Sequence, residues 1–325
     1  MATRSVGIGN PMSKTPLVAS ALIRPLLDAR LPEWIEPHWY MSKEEGIALA
    51  PLAEIGWFDM VDPFAMRDII THGTNLKWLN SIYAGVDMMP LEQLKAQGTV
   101  VTNGAGINAI AIAEYVIMAM LNIAKDYRRV FEAQQRREWL FDSPGKIELY
   151  ESKVLLLGYG AISQHVEKRL IPFGADITKV RRTPAPDALT PHEWRGRLAE
   201  FDWVILAVPS TPDTKGMIGA EELAAMKPTA SLINIARGDV IDQGALITAL
   251  ETKEIAAAWL DVMIPEPLPP EHRLWTTPNA HISSHLSGRA QTRMFERSAN
   301  RFFENLARYE TGQRLEPQVD LDMGY

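Results

Sequence analysis

The chain has 325 residues, 46% of them hydrophobic, enough for about two packed domains. It contains no cysteine, which excludes disulfides, thiol nucleophiles and thiolate metal sites. Its net charge of −7, with no extended basic run, argues against nucleic acid as a partner and means that an anionic substrate needs a local cationic site.

Residues 1–16 are polar and lack an apolar signal core. The most apolar helical stretch, 109–121, is too short to span a bilayer and contains Glu114. The chain therefore reads as a cytoplasmic protein with no membrane association. Residues 1–103 read as a first α/β unit, with short buried strands at 76–80 and 99–102. One long helix is expected from 109 to about 137, apolar in its first half and charged in its second.

From 153 onward the alternation is regular. Strands are expected at 153–157, 177–180, 203–208, 231–236 and 256–261, and helices at 164–173, 221–226 and 243–251. Such alternation implies a parallel sheet covered on both faces, so 104–288 reads as a doubly wound nucleotide domain. Residues 289–309 are again helical.

The turn after the first of these strands is Gly158-Tyr159-Gly160-Ala161-Ile162-Ser163. Gly158 permits the tight turn, and Gly160 lets the backbone approach a pyrophosphate. The N–H groups of the helix opening at Ala161 and Ile162 then face the phosphates. Ser163 stands where such turns usually place a third glycine. At the far end of the next strand an NAD site wants an acidic residue for the ribose. Asp176 lies at the wrong end, and Arg181, Arg182 and Thr183 occupy the right one. Two guanidiniums and a hydroxyl suit a 2′-phosphate, so NADP(H) is the expected cofactor.

Three later segments each carry one polar residue of interest: Arg237 in Ile235-Ala236-Arg237-Gly238, Glu266 in Glu266-Pro267-Leu268-Pro269, and His285 in Ser283-Ser284-His285. A glycine turn followed by Arg, Glu and His in this order resembles the D-2-hydroxyacid dehydrogenase family, over roughly residues 50–310. Relatives commonly carry a threonine-proline pair where this chain has Ser283-Ser284. The resemblance implies two doubly wound α/β domains with a cleft between them. A Rossmann-type nucleotide domain takes 104–288, and a flavodoxin-like substrate domain takes 1–103 and 289–325. Gly104–Gly106 and Ser287–Gly288 are the expected hinges.

The implied chemistry is reduction of a small anionic 2-keto acid to the 2-hydroxy acid. Arg237 anchors the carboxylate and polarises the carbonyl. His285 delivers the proton, and Glu266 pairs with it and favours the imidazolium. The family also implies a carboxylate-holding loop at Ala84, Gly85 and Val86. For the cofactor it implies Asp261 at the carboxamide, Val208, Pro209 and Thr214 over the adenosine, and Ile235 and Ala236 beside them. His281 lies four residues before His285, but the segment reads as strand and loop, so no metal site is expected. Glyoxylate, hydroxypyruvate and aryl pyruvates all remain as substrates. Trp57, Met88 and Met89 are candidate pocket side chains, and Trp139 is a candidate arriving from the partner of a homodimer. The alternative is a nucleotide-sensing, corepressor-like dimeric scaffold of the same fold.

Overall fold

The computed structural model describes residues 14–59, 62–289 and 291–324. The chain divides into two compact units, Met1–Ile107 with Gln291–Tyr325, and Asn108–Ala290.

The first unit holds five parallel strands: β1 (Thr15–Ser20), β2 (Ile35–Tyr40), β3 (Ile55–Trp57), β4 (Trp78–Asn80) and β5 (Val100–Thr102). Their order is β2-β1-β3-β4-β5, the flavodoxin-like arrangement. β2 contains Glu36 and Pro37 and lies at an edge, where a missing backbone N–H breaks no central ladder. Adjacent residues of β1 point to opposite faces. Val18 joins Tyr40, Phe58, Ile69 and Leu79 on one side. Leu17 joins Ile55, Trp57 and Trp78 on the other, where Phe302 and Leu306 of the helix Gln291–Glu310 cover them. The Trp78 ring stacks on Phe302 at 5.0 Å, and Trp57 meets the same ring at 5.1 Å.

This packing corrects one expectation. Trp57 and Met89 are 1% and 5% exposed, and Met88 packs against the core beside Met89. They fill the interior of the unit and do not line a pocket.

The second unit holds β6 (Lys153–Leu157), β7 (Asp176–Val180), β8 (Trp203–Leu206), β9 (Ser231–Asn234), β10 (Ala257–Leu260) and β11 (Ala280–Ile282). All are parallel, in the order β11-β10-β9-β8-β6-β7. Beyond β7, Leu189 forms a single parallel bridge to Val180, donating from its amide to Lys179 and accepting from Arg181. The sheet is thus a dinucleotide-binding fold whose third strand has shrunk to one bridge.

The long helix expected over 109–137 is two helices, Ala109–Lys125 and Tyr127–Arg136. Asp126 between them is left-handed, at φ 44°. The cause is a crossing segment. The Ile147 amide takes the Ala124 carbonyl, and Gly145 lies so close to Lys125 that a Cβ there would meet its carbonyl carbon at 2.1 Å. Among the described residues, no helix is long and apolar enough to cross a membrane.

Candidate active site

The glycine turn joins β6 to the helix Ala161–Leu170. Gly158 has φ 91°, and a Cβ there would meet the Ala207 carbonyl oxygen at 2.6 Å, so only glycine fits. Gly160 differs. Its φ is −95°, and a Cβ would meet nothing within 4 Å. Neither backbone strain nor packing within the chain requires glycine at 160, and its open side leaves the backbone accessible. The first turn of the helix, including Ala161 and Ile162, has no side-chain cap. Its donors suit an anion. Ser163 is buried and donates from Oγ to the Gly158 carbonyl at 2.6 Å, so it stiffens the turn where a third glycine usually packs.

Arg181, Arg182 and Thr183 follow β7 directly, Arg182 and Thr183 exposed. Lys179 is spent on Glu167 and Asp187 and lies over the Tyr159 ring at 4.8 Å. These carboxylates hold the Lys179 ammonium above its ordinary range, so it stays a structural cation. Thr214 is half-buried and bonded within its own turn. Its Oγ1 donates to the Pro209 carbonyl at 2.6 Å and accepts from the Thr211 amide, closing the turn that follows Val208. Ile235 and Ala236 are nearly buried, at 7% and 5% exposure.

The three polar residues follow three adjacent strands. Register places Asn234, Leu260 and Ile282 side by side at the ends of β9, β10 and β11. The loops therefore leave the sheet level with one another, at the carboxyl edge where doubly wound sheets bind ligands. Asn234, fully buried, accepts from the Ala236 amide and donates to the Arg237 carbonyl, shaping the turn that presents Arg237. Gly238 then passes so close to Met263 that a Cβ would meet its carbonyl at 2.4 Å. Gln243 exchanges two hydrogen bonds with the backbone of Ile264. These contacts bring the Glu266 loop alongside Arg237.

Glu266 accepts from the Met263 amide at 3.0 Å through one oxygen and from His285 Nδ1 at 2.7 Å through the other. Partial burial works to raise its carboxyl. The bonds from His285 and Met263 and the charge of Arg237 outweigh it, and Glu266 lies below its ordinary range. The carboxylate therefore stays ionised at neutral pH. His281 has a different role: it stacks on Trp259 at 5.4 Å and 9°, and burial pushes its imidazole down. Among the described residues, no cluster of three His, Asp or Glu side chains forms a metal site.

Asp261, expected at the nicotinamide carboxamide, is 1% exposed. Its carboxylate accepts from Ser283 Oγ and from the Leu286 and Ser287 amides, and from Ser287 Oγ. It anchors the His285 loop. Ser287, expected at a hinge, is buried within this anchorage.

In the first unit, the loop carrying Ala84, Gly85 and Val86 is held from two sides. Asn103 donates to the Ala84 carbonyl at 2.6 Å. Asp59 accepts from Ser81 Oγ, the Ile82 amide and the Trp57 indole. Burial pushes the Asp59 carboxyl up to about 6, against the pull of these three bonds. Asn103 opens the Asn103-Gly104-Ala105-Gly106 segment that resembles the family's domain crossover, but Asp59, Asn234 and Gln243 carry no sequence pattern that marks them. Their roles appear only once the strands are paired.

The model of the D-isomer specific 2-hydroxyacid dehydrogenase NAD binding domain matches residues 117–287. A glyoxylate reductase/hydroxypyruvate reductase of Mus musculus is 34% identical over 225 residues, 66% of this chain and 68% of that protein. A D-isomer specific 2-hydroxyacid dehydrogenase family protein from Aeromonas salmonicida subsp. salmonicida A449 matches with a TM-score of 0.85 at 29% identity, covering 95% of this chain and 100% of its own. A D-isomer specific 2-hydroxyacid dehydrogenase from Xanthobacter autotrophicus Py2, solved with NADPH and MES, matches with a TM-score of 0.79 at 27% identity, covering 96% and 100%. With the glycine turn and the three level loops, these matches establish that the chain belongs to the D-isomer specific 2-hydroxyacid dehydrogenase family.

Proposed function

We propose that this protein is a cytoplasmic reductase of 2-keto acids, forming D-2-hydroxy acids with NADPH and using His285 as the general acid. The observation that carries the reading is the 2.7 Å bond from His285 to an ionised Glu266, with the charge of Arg237 felt at the same carboxylate. Glu266 fixes the proton on Nδ1, so Nε2 is the ring atom that protonates the carbonyl oxygen. Arg237 holds the substrate carboxylate and draws charge from the carbonyl. The amides of Ala84, Gly85 and Val86 are assigned to the same carboxylate by resemblance. Gly158, Gly160, Ala161 and Ile162 hold the pyrophosphate, and Arg181, Arg182 and Thr183 hold a 2′-phosphate. When bound, the dinucleotide supplies the hydride.

The test is NADPH consumption by the purified protein with glyoxylate, hydroxypyruvate and phenylpyruvate, together with the chirality of the product. Turnover to a D-hydroxy acid is expected. Intact nucleotide binding without turnover of any keto acid favours a nucleotide-sensing scaffold.

Glu266→Gln tests the pairing. The Glu266 carboxyl is held below its ordinary range, so it is ionised at neutral pH and accepts from His285 Nδ1 as a carboxylate. Removing that charge should lower kcat and move the fall-off of reduction with rising pH to a lower pH. Superimposable pH profiles for parent and variant would contradict the pairing.

We also propose a homodimer. Tyr127, Phe131, Trp139 and Phe141 are exposed along and just after the helix Tyr127–Arg136, Trp139 at 79% and Phe141 at 96%. Apolar surface of this extent on one segment marks an interface. Sedimentation should give a dimer at micromolar concentration, and a monomer there refutes it. Trp139→Ala should change KM for phenylpyruvate and glyoxylate unequally, because the side chain is assigned to the neighbouring copy's site. Equal effects would leave Trp139 with an interface role alone.

A further inference from the structure

We propose that Ser287 is a positioning residue: with Ser283 it brackets the buried Asp261 carboxylate and so holds the left-handed turn Ser284–His285 that aims the imidazole at Glu266. The consequence for catalysis rests on the reading of His285 as the acid. The turn is unusual. Ser284 and His285 have φ of 51° and 55°, two successive L residues in a region that sterically suits glycine. Histidine tolerates this region better than most L residues and its ring is tied to Glu266, but Ser284 has neither advantage. A conformation of this kind persists only where its surroundings over-determine it.

Asp261 supplies most of those surroundings, beside the turn bond from the Leu286 amide to the Ser283 carbonyl and the His285–Glu266 pair. The Asp261 carbonyl accepts from the His285 amide at 2.6 Å. Its Oδ1 accepts from Ser283 Oγ at 2.8 Å, Leu286 N at 2.9 Å and Ser287 N at 3.2 Å. Its Oδ2 accepts from Ser287 Oγ and, at 3.3 Å, from Ser287 N. Every one of these donors lies within residues 283–287, on both sides of His285. Asp261, Ser283 and Ser287 are 1%, 7% and 5% exposed. A buried carboxylate so placed is costly to leave short of a donor, and a shift of the loop that carries the remaining donors would offset that cost. Ser283 is held in turn by the Trp259 indole, which donates to its Oγ at 3.1 Å.

The departure from the family pattern fits this account. Relatives commonly place a proline immediately before the histidine. A proline ring locks φ near about −65°, which Ser284 at 51° contradicts. Where a ring stiffens the loop in relatives, a saturated carboxylate stiffens it here.

The test compares Ser287→Ala and Ser284→Pro with the parent enzyme. Ser287→Ala should lower kcat by about tenfold or more, since small misplacement of a reacting group carries that cost, while KM for the keto acid and Kd for NADPH stay within about twofold. Ser284→Pro, which restores the commoner family residue, should lose at least as much kcat. A second readout does not depend on turnover. In protein labelled with 15N-histidine, the His285 Nδ1–H resonance, assigned by its disappearance in His285→Ala, should be protected from solvent exchange in the parent and exchange rapidly in both variants. Parent-like kcat and parent-like protection in Ser287→Ala overturn the proposal. So does a Ser284→Pro enzyme that matches the parent. A Ser287→Ala enzyme whose kcat, NADPH affinity and melting temperature fall together shows a merely structural residue and overturns it as well. If His285→Ala itself retains turnover, the acid assignment fails, and the exchange measurement still decides whether Ser287 holds the turn.

Discussion

His285→Ala should remove most of kcat, by about 10²–10⁴-fold, the usual contribution of a positioned general acid. The residues proposed to hold the cofactor lie in other loops, after β6 and β7, and among the described residues the imidazole bonds to none of them. NADPH affinity should therefore stay within about twofold, because the binding contacts and the proton donor are separate groups. The loss should appear in kcat and kcat/KM alike, as for an interaction made in the transition state. Stopped-flow reduction under single-turnover conditions measures this directly. A variant that turns over at the parent rate would move the acid elsewhere, and Glu266 would then be a structural carboxylate bonded to a structural histidine. Fold stability should change little, since His285 is on an exposed loop and, among the described residues, its ring bonds to Glu266 alone.

The strands of the second unit were legible because each is buried on both faces. Lys153–Leu157, Trp203–Leu206 and Ser231–Asn234 read as nearly unbroken apolar runs, which only a covered parallel sheet requires. Arg237, Glu266 and His285 are singled out by the family resemblance, and the strand pattern agrees with their placement. Each is a polar residue soon after such a run, where a strand delivers its loop to the ligand edge. What escaped depends on partners remote in sequence. The helix break at Asp126 is made by Gly145 and Ile147, about twenty residues on, and the apolar pattern of 109–125 carries no trace of it. Trp57 looks like a pocket aromatic until Phe302, nearly 250 residues away, is found against it. Asp261 was assigned to the cofactor by resemblance. What the sequence does not show is its set of partners within the chain: Ser283 and Ser287 lie on the next strand's loop, and sequence spacing cannot reveal a hydrogen bond between loops. The first three strands went unread because β2 carries Pro37 and Glu36 and β3 is only three residues long.

Neutralising Arg181 and Arg182 together should weaken NADPH by about ten- to a hundred-fold and leave NADH nearly unchanged, the range expected for losing charge-assisted hydrogen bonds to a phosphate. The argument is one of position. β7 ends at Val180, and the two guanidiniums with Thr183 stand where an acidic side chain would serve the ribose of NAD. The acidic residues nearby are otherwise engaged: Glu167 and Asp187 are both bonded to Lys179, and Asp176 begins the strand at its opposite end. Arg182 is exposed, so solvent screens it, and most of the effect should come from Arg181, whose amide is held by the Leu189 bridge. Single substitutions should rank accordingly, Arg181 above Arg182. Isothermal titration with both dinucleotides, at two salt concentrations, measures the effect. NADPH binding should weaken with salt in the parent and lose most of that dependence in the double variant. A parent enzyme that binds NADH more tightly than NADPH would refute the assignment outright, and the basic turn would then be a solvated surface feature.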